Sequence, residues 1–117
     1  MEITTAVERL AALGHVTRLA IFRLLVQAGP QGINVGQIAE RLEIALPTLS
    51  FHLAHLSRVG LIQGRPESRF IFYAADYKAM QDLLSYLTEH CCEGSRCVSR
   101  ERSKGAPSRQ RRAPTPR

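Results

Sequence analysis

Residues 34–60 read Asn34-Val35-Gly36-Gln37-Ile38-Ala39-Glu40-Arg41-Leu42-Glu43-Ile44-Ala45-Leu46-Pro47-Thr48-Leu49-Ser50-Phe51-His52-Leu53-Ala54-His55-Leu56-Ser57-Arg58-Val59-Gly60. Val35, Ile38, Ala39 and Leu42 recur at helical spacing behind Asn34, which suits an N-cap. A break at Glu43-Ile44-Ala45-Leu46-Pro47 follows. Pro47 fits the first turn of a second helix, where its missing N–H costs nothing. Leu49, Leu53 and Leu56 form the inward stripe of that helix, and Gly60 supplies its stop. Two short helices joined by a tight break predict a helix-turn-helix.

Upstream, residues 3–12 read as a short amphipathic helix with Ile3, Val7, Leu10 and Ala11 on one face and Thr4 or Thr5 as its cap. Gly14 ends it. A second helix carries Leu19, Phe22, Leu25 and Val26 on one face, widened by Ile21 and Leu24, and stops at Gly29-Pro30. His15 suits a cap or structural role at its start, and Gln31-Gly32-Ile33 reads as a connector. Downstream the period changes. Leu61-Ile62-Gln63 and Arg69-Phe70-Ile71-Phe72-Tyr73 are β-prone, separated by a turn-like Gly64-Arg65-Pro66-Glu67-Ser68, which predicts a hairpin with an arginine-flanked tip. A last helix runs from Asp76 to about Cys92, with Tyr77, Met80, Leu84, Leu87 and Cys91 as its packing seam. The fold class expected is mainly α with a β-hairpin wing: a winged helix-turn-helix.

The chain has 117 residues and a formal charge of +6. Residues 1–97 hold nine basic and nine acidic side chains. Residues 98–117 hold seven Arg/Lys against one Glu, so the whole excess lies there. We expect a domain over residues 1–97 and a disordered basic tail over 98–117, which either solubilises the chain or adds sequence-independent DNA affinity. No apolar run reaches the roughly 18 residues of a membrane span, and the acidic, amphipathic start does not read as a signal peptide. The expected compartment is the cytoplasm, where thiols stay reduced.

A helix fits the major groove of B-form DNA, and its polar side can meet base edges. The outer face of the second helix of the pair is expected to hold Thr48, Ser50, Phe51, His52 and His55. Ser, Thr and His can bond bases or phosphates, and a Phe can touch a thymine methyl. Arg58, Arg65 and Arg69 follow as phosphate or minor-groove contacts. Taken singly, each polar side chain reads equally well as solvated surface, and Phe51 would be core if the helix phase shifted by one.

All three cysteines fall in His90-Cys91-Cys92-Glu93-Gly94-Ser95-Arg96-Cys97. Three thiols so close together can converge on one thiophilic centre, and soft thiolates select soft centres. On an ideal helix Cys91 and Cys92 point about 100° apart, so both reach one small ion only if the helix end opens. Cys91, Cys92 and Cys97 with His90 would also make a zinc, cadmium or lead site. A thiol redox switch is a third reading, with Arg96 able to lower a thiol pKa. A cysteine-based arsenate reductase is disfavoured, because a helix C-terminus is the negative end of the dipole and repels the anion. We therefore expect no enzyme.

Three blocks in order resemble the ArsR/SmtB family of winged-helix repressors. LAALGHVTRLAIFRLL is similar to the family's Ala-Leu-x-x-x-x-Arg-Leu-x-Ile-Leu signature. VGQIAERLEIALPTLSFHLAHLSRVGLI is similar to its helix-turn-helix, with Ser50, His52, Leu53 and Leu56 at the Ser-x-His-Leu-x-x-Leu core, and RFIFYAA to its second wing strand. The resemblance covers about residues 6–97. It implies a homodimer through the first and last helices that binds double-stranded operator DNA, with one recognition helix per subunit in successive major grooves. It also implies repression relieved by a bound metal or metalloid. The classical Glu-Leu-Cys-Val-Cys-Asp-Leu is replaced here by Ile33-Asn34-Val35-Gly36-Gln37-Ile38, and the residues beside Asp76 are Tyr77 and Lys78, not the ligands of zinc and nickel sensors. SYLTEHCC followed by a glycine and a later cysteine resembles the arsenic-sensing branch. That implies trivalent arsenic or antimony as the inducer, held by Cys91, Cys92 and Cys97.

Overall fold

The computed structural model describes residues 1–94. The tail over 98–117 and Cys97 lie outside them. Met1–Leu87 form one compact unit, and a second begins at Thr88. The order is α1 (Ile3–Leu13), α2 (Val16–Ala28), β1 (Ile33–Asn34), α3 (Val35–Leu42), α4 (Leu46–Arg58), β2 (Ile62–Glu67), β3 (Phe70–Ala75) and α5 (Tyr77–Thr88). A single 3-10 turn, Cys91–Gly94, follows. The three strands form an antiparallel sheet in the order β1-β3-β2. The winged helix-turn-helix expected from the sequence is the fold observed.

The core is the junction of α2, α3, α4 and the sheet. Ile21, Leu25, Ile38, Leu49, Leu53, Leu56, Leu61 and Ile62 are its fully buried side chains. α1 differs from expectation. It starts at Ile3 behind Glu2, with no side-chain cap, so Thr4 and Thr5 lie inside the helix. It turns Ala6 and Ala12 inward, which lets it approach closely. Ile3, Val7 and Leu10 stay 66%, 57% and 43% exposed. Helical spacing identified the apolar stripe correctly but not the side that packs on this core.

The helix-turn-helix is held by local chemistry at each end. Asn34 and Gln37 form a reciprocal capping box at the start of α3: Asn34 Oδ1 accepts from the Gln37 N–H at 2.8 Å and Gln37 Oε1 from the Asn34 N–H at 3.4 Å. Glu43 ends α3 in the left-handed region, φ 55°. α4 ends in a Schellman stop: the Leu61 N–H donates to Leu56 O at 3.1 Å and the Gly60 N–H to Ser57 O at 3.0 Å, with Gly60 at φ 82°. Leu56 and Leu61 are both fully buried, the apolar contact that accompanies the motif. The stop therefore directs the chain from α4 straight into the wing.

The wing is longer than the sequence suggested. Gly64-Arg65-Pro66-Glu67, expected as a turn, is strand paired residue for residue with Tyr73-Phe72-Ile71-Phe70. The turn is the two residues Ser68-Arg69, with Ser68 at φ 57°. Pro66 is tolerated because β2 is the sheet edge, where no neighbouring strand needs its N–H. The residues expected as a connector contain a third strand, Ile33-Asn34, paired with Tyr73 and Phe72. Tyr73 packs closely on two glycines. A Cβ on Gly64 would meet its ring at 2.8 Å, and one on Gly32, at φ 76°, would meet its carbonyl oxygen at 2.4 Å.

Gly32→Ala is expected to lower stability by about 2 kcal/mol or more, since backbone strain and a backbone clash coincide. Gly36→Ala, inside α3, meets only Asn34 Oδ1 at 3.4 Å and is expected to be neutral or to stabilise by up to about 1 kcal/mol. Urea unfolding of the two variants checks both signs.

Candidate DNA interface and cysteine pair

The inward set of α4 is Leu49, His52, Leu53 and Leu56. This fixes the rotation of the helix and therefore its outer face. Thr48, Ser50, Phe51, Ala54, Ser57 and Arg58 are exposed, and His55 is half-buried. Phe51 is 67% exposed, so it is surface and not core.

His52 departs from the expected outer face. It is 7% exposed, because it lies three residues after Leu49 on the buried stripe. Its Nδ1 stands 3.4 Å from Arg18 Nη1, and its ring centroid is 4.9 Å from that of His15. Since Arg18 only donates, Nδ1 accepts and the ring is neutral, with its proton on Nε2. Arg18 Nε donates to Ala12 O at 2.7 Å, so one guanidinium joins the end of α1 to α4. His15 caps α2, its Nδ1 accepting from the Thr17 N–H at 3.1 Å. Arg9 makes a parallel tie from α1, donating to Val59 O at 2.9 Å and Ala79 O at 3.5 Å. Sequence reasoning missed both arginines as organisers. The only signal for Arg18 was its place in the Arg-Leu signature, and nothing marked Arg9.

Burial first, then the charges of His15, Arg18 and His55, hold the His52 pKa below its ordinary value of 6.5. His55 is lowered for the same reason, with burial ahead of Arg18 and Arg58. With both histidines held toward their neutral form, Arg18 and Arg58 supply the positive potential around the C-terminal half of α4.

The hairpin tip faces the middle of the same helix. An open groove of about 350 Å³ lies between them, with Ser50 and Ala54 on one wall and Arg69, Phe70 and Ile71 on the other. Arg69 is in the two-residue turn, as the sequence suggested. Arg65 is not at the tip. It lies on β2, where its Nε donates to Glu67 Oε2 at 2.7 Å and its Nη2 to Gln31 O at 3.0 Å, and its guanidinium stacks 5.7 Å from the Phe72 ring centre. Its charge is partly matched within the wing. Asp76 is likewise committed: Oδ2 accepts from Gln63 Nε2 at 2.8 Å and Oδ1 caps the Ala79 N–H at 3.0 Å.

Residues 13–65 match a family model described as a helix-turn-helix domain. The transcriptional activator HlyU of Vibrio cholerae is 38% identical over 85 residues, covering 70% of this chain and 76% of that protein. The chain belongs to the ArsR/SmtB family of winged helix-turn-helix transcriptional regulators. A solved structure described as reduced HlyU superposes with a TM-score of 0.61 at 31% identity, over 76% of this chain and 90% of that one. The transcriptional repressor SdpR of Bacillus subtilis is 29% identical over 83 residues, 71% of this chain and 89% of that protein. A homodimeric winged helix-turn-helix domain from Mycobacterium bovis, described as a possible ArsR-family regulator, has a TM-score of 0.61 at 24% identity, over 81% of this chain and 88% of that one.

In this ArsR/SmtB-family chain the cysteines sit differently from expectation. α5 ends at Thr88, so Cys91 is not on its packing seam. Periodicity identifies a face, but it does not say where hydrogen bonding stops. His90, Cys92 and Glu93 take φ values of 58°, 62° and 42°, and the backbone leaves the helix there. The two thiols therefore do not splay by a helical 100°. Both are exposed, and their Sγ atoms stand 3.6 Å apart. His90 is not gathered with them: among the described residues no three His, Cys, Asp or Glu side chains form a metal-binding group. No single described helix is long and apolar enough to cross a membrane.

The lowered His52 pKa means that the unfolded chain binds more protons than the folded one below pH 6.5. Stability from this group is full above 6.5 and falls as pH drops from 6.5 toward the depressed folded value. His52→Gln keeps an acceptor without a titrating ring, so its melting temperature should fall less steeply between pH 7 and pH 5 than that of the parent. Parallel slopes would remove His52 as the cause.

Proposed function

We propose that this regulator is a repressor that binds operator DNA as a homodimer and is released when trivalent arsenic or antimony binds its C-terminal cysteines. The observation that carries the inducer reading is the exposed Cys91–Cys92 pair with sulfurs 3.6 Å apart. Two soft donors at that spacing can chelate one soft, thiophilic centre. Arsenite or antimonite would take Cys97 as third ligand, whereas an organic trivalent arsenical needs the pair alone. The regulator acts in the cytoplasm, where such thiols stay reduced, and it is a binding protein without catalytic chemistry.

The DNA reading rests on family membership and on the outer face of α4. Thr48, Ser50, Phe51 and His55 would meet bases or phosphates, Arg58 and Arg69 would meet the backbone, and Arg65 would assist from the wing. His52 would act indirectly, by holding α4 against Arg18. Homodimerisation is supported by the exposed stripe Ile3, Val7 and Leu10 on α1 and by Leu87, 53% exposed, on α5. The Mycobacterium bovis neighbour is a homodimer. Ligand capture just beyond α5 would alter the end of a dimer helix and so the spacing of two recognition helices. Release requires different inducer affinities in the free and DNA-bound states.

A thiol-redox input is the second reading, favoured by the same 3.6 Å spacing and by a relative whose structure is described as reduced. Titrating the reduced protein on its operator with arsenite, an organic arsenical, antimonite, zinc and peroxide separates the two. Arsenicals should weaken DNA binding at least tenfold, a shift of about 1.4 kcal/mol. Cys91→Ser and Cys92→Ser should abolish that response. Release of both variants by arsenite would remove the cluster as sensor, and release of the parent by peroxide alone would establish the redox reading. Val7→Glu places a charge on an already exposed helix position, so it should leave the fold intact while shifting the light-scattering mass from dimer to monomer.

A further inference from the structure

The outer face of α4 has an unusual chemistry for a helix that reads DNA. Over its first three turns the exposed side chains are Leu46, Pro47, Thr48, Ser50, Phe51 and Ala54. None is Arg, Lys, Asn or Gln, the side chains that pair bidentately with guanine or adenine in the major groove. The one cation on the helix, Arg58, is its last residue, whereas base contacts come from the N-terminal part of a recognition helix. His52, the best hydrogen-bonding group in the middle of the helix, is turned inward. The hydroxyls of Thr48 and Ser50 both donate and accept, so they discriminate weakly between bases.

His55 is half-buried and lies in the last turn, so in the N-terminal part of the helix Phe51 is what remains. It is the one Phe, Tyr or Trp on α4 and is 67% exposed. The ring stands edge-on to His52 at 5.5 Å between centroids with planes 68° apart, and His52 in turn contacts Arg18. Ala54 lies one turn further along, on the same side. An apolar surface in the major groove has one distinctive partner there, the C5-methyl group of a pyrimidine.

We propose that the regulator selects its DNA site chiefly by pyrimidine C5-methyl groups, with Phe51 as the reading side chain and Ala54 beside it. This rests on the DNA-binding reading above. Thymine supplies the methyl in unmodified DNA, and 5-methylcytosine presents the same group at the same place. The site should accordingly respond to cytosine methylation where cytosine replaces the contacted thymine.

The experiment uses the full chain. A preferred duplex is selected from a randomised pool, and each thymine of one half-site is replaced in turn by deoxyuridine, which removes only the methyl. At one or two positions affinity should fall about fourfold, the factor for roughly 0.8 kcal/mol per buried methyl. The loss should vanish in Phe51→Ala and persist in part in Phe51→Leu. At the same position 5-methylcytosine should bind about fourfold more tightly than cytosine. Both variants should melt within a few degrees of the parent, because the side chain is largely exposed. Binding that ignores every deoxyuridine, or an equal loss in Phe51→Ala, overturns this proposal while leaving DNA binding intact. Failure to select any duplex, as expected if the face docks a protein instead, overturns both.

Discussion

The rotational setting of α4 about its own axis is the constraint on which the rest depends. Leu49, Leu53 and Leu56 are sealed into the core, and a helix with three such anchors over two turns has one rotation that buries them all. Burying a leucine side chain contributes about 1.5–3 kcal/mol, so a rotation that exposed even one would be strongly disfavoured. His52 sharpens the setting. Its acceptor nitrogen must find Arg18, and Arg18 is already committed to the end of α1. Apolar burial selects the face, and the hydrogen bond adds direction. Everything presented outward, from Thr48 to Arg58, follows from that inward choice.

The wing depends on the same helix through its C-terminal stop. The Schellman bonds at Gly60 and Leu61 set the exit direction of the chain, and Leu61 O then accepts from the Asp76 N–H at 2.9 Å. That bond ties the start of β2 to the end of β3. Tyr73 is the pivot of the sheet, facing Ile33 on one side and Gly64 on the other. Its closeness to two glycines lets a two-residue strand fasten the α2–α3 connection to the hairpin. The helix-turn-helix and the wing are thus joined at one helix end and through one short strand.

Much of this was legible in the sequence because the signals were local. Asn34 as N-cap, Pro47 in the first turn and Gly60 after the last mark the boundaries of α3 and α4 by chemistry acting over three or four residues, although the part Gln37 plays in the capping box emerged only from the structure. The inward leucines were legible from period alone. What failed was of another kind. Pro66 and Gly64 look like turn residues, and only knowledge that β2 is an edge and that Tyr73 covers Gly64 reverses that reading. His52 was placed on the wrong face because its polarity outweighed its position three residues after Leu49. Its partner, 34 residues away, leaves no local trace. The end of α5 was misplaced because an apolar period continues past the point where the backbone stops being helical. The three crowded cysteines were visible at once, whereas the 3.6 Å spacing of the first two depends on backbone angles that no residue type announces.

The composition of β2 has one more consequence. A three-stranded sheet has two open edges, and an open edge invites pairing with a strand of another molecule. Here one edge is β1, only two residues long, too short to template a partner. The other is β2, where Pro66 removes a donor and the exposed Arg65–Glu67 pair flanks it. The residues that disguised the wing as a turn also leave its open edge a poor template for a strand of another molecule.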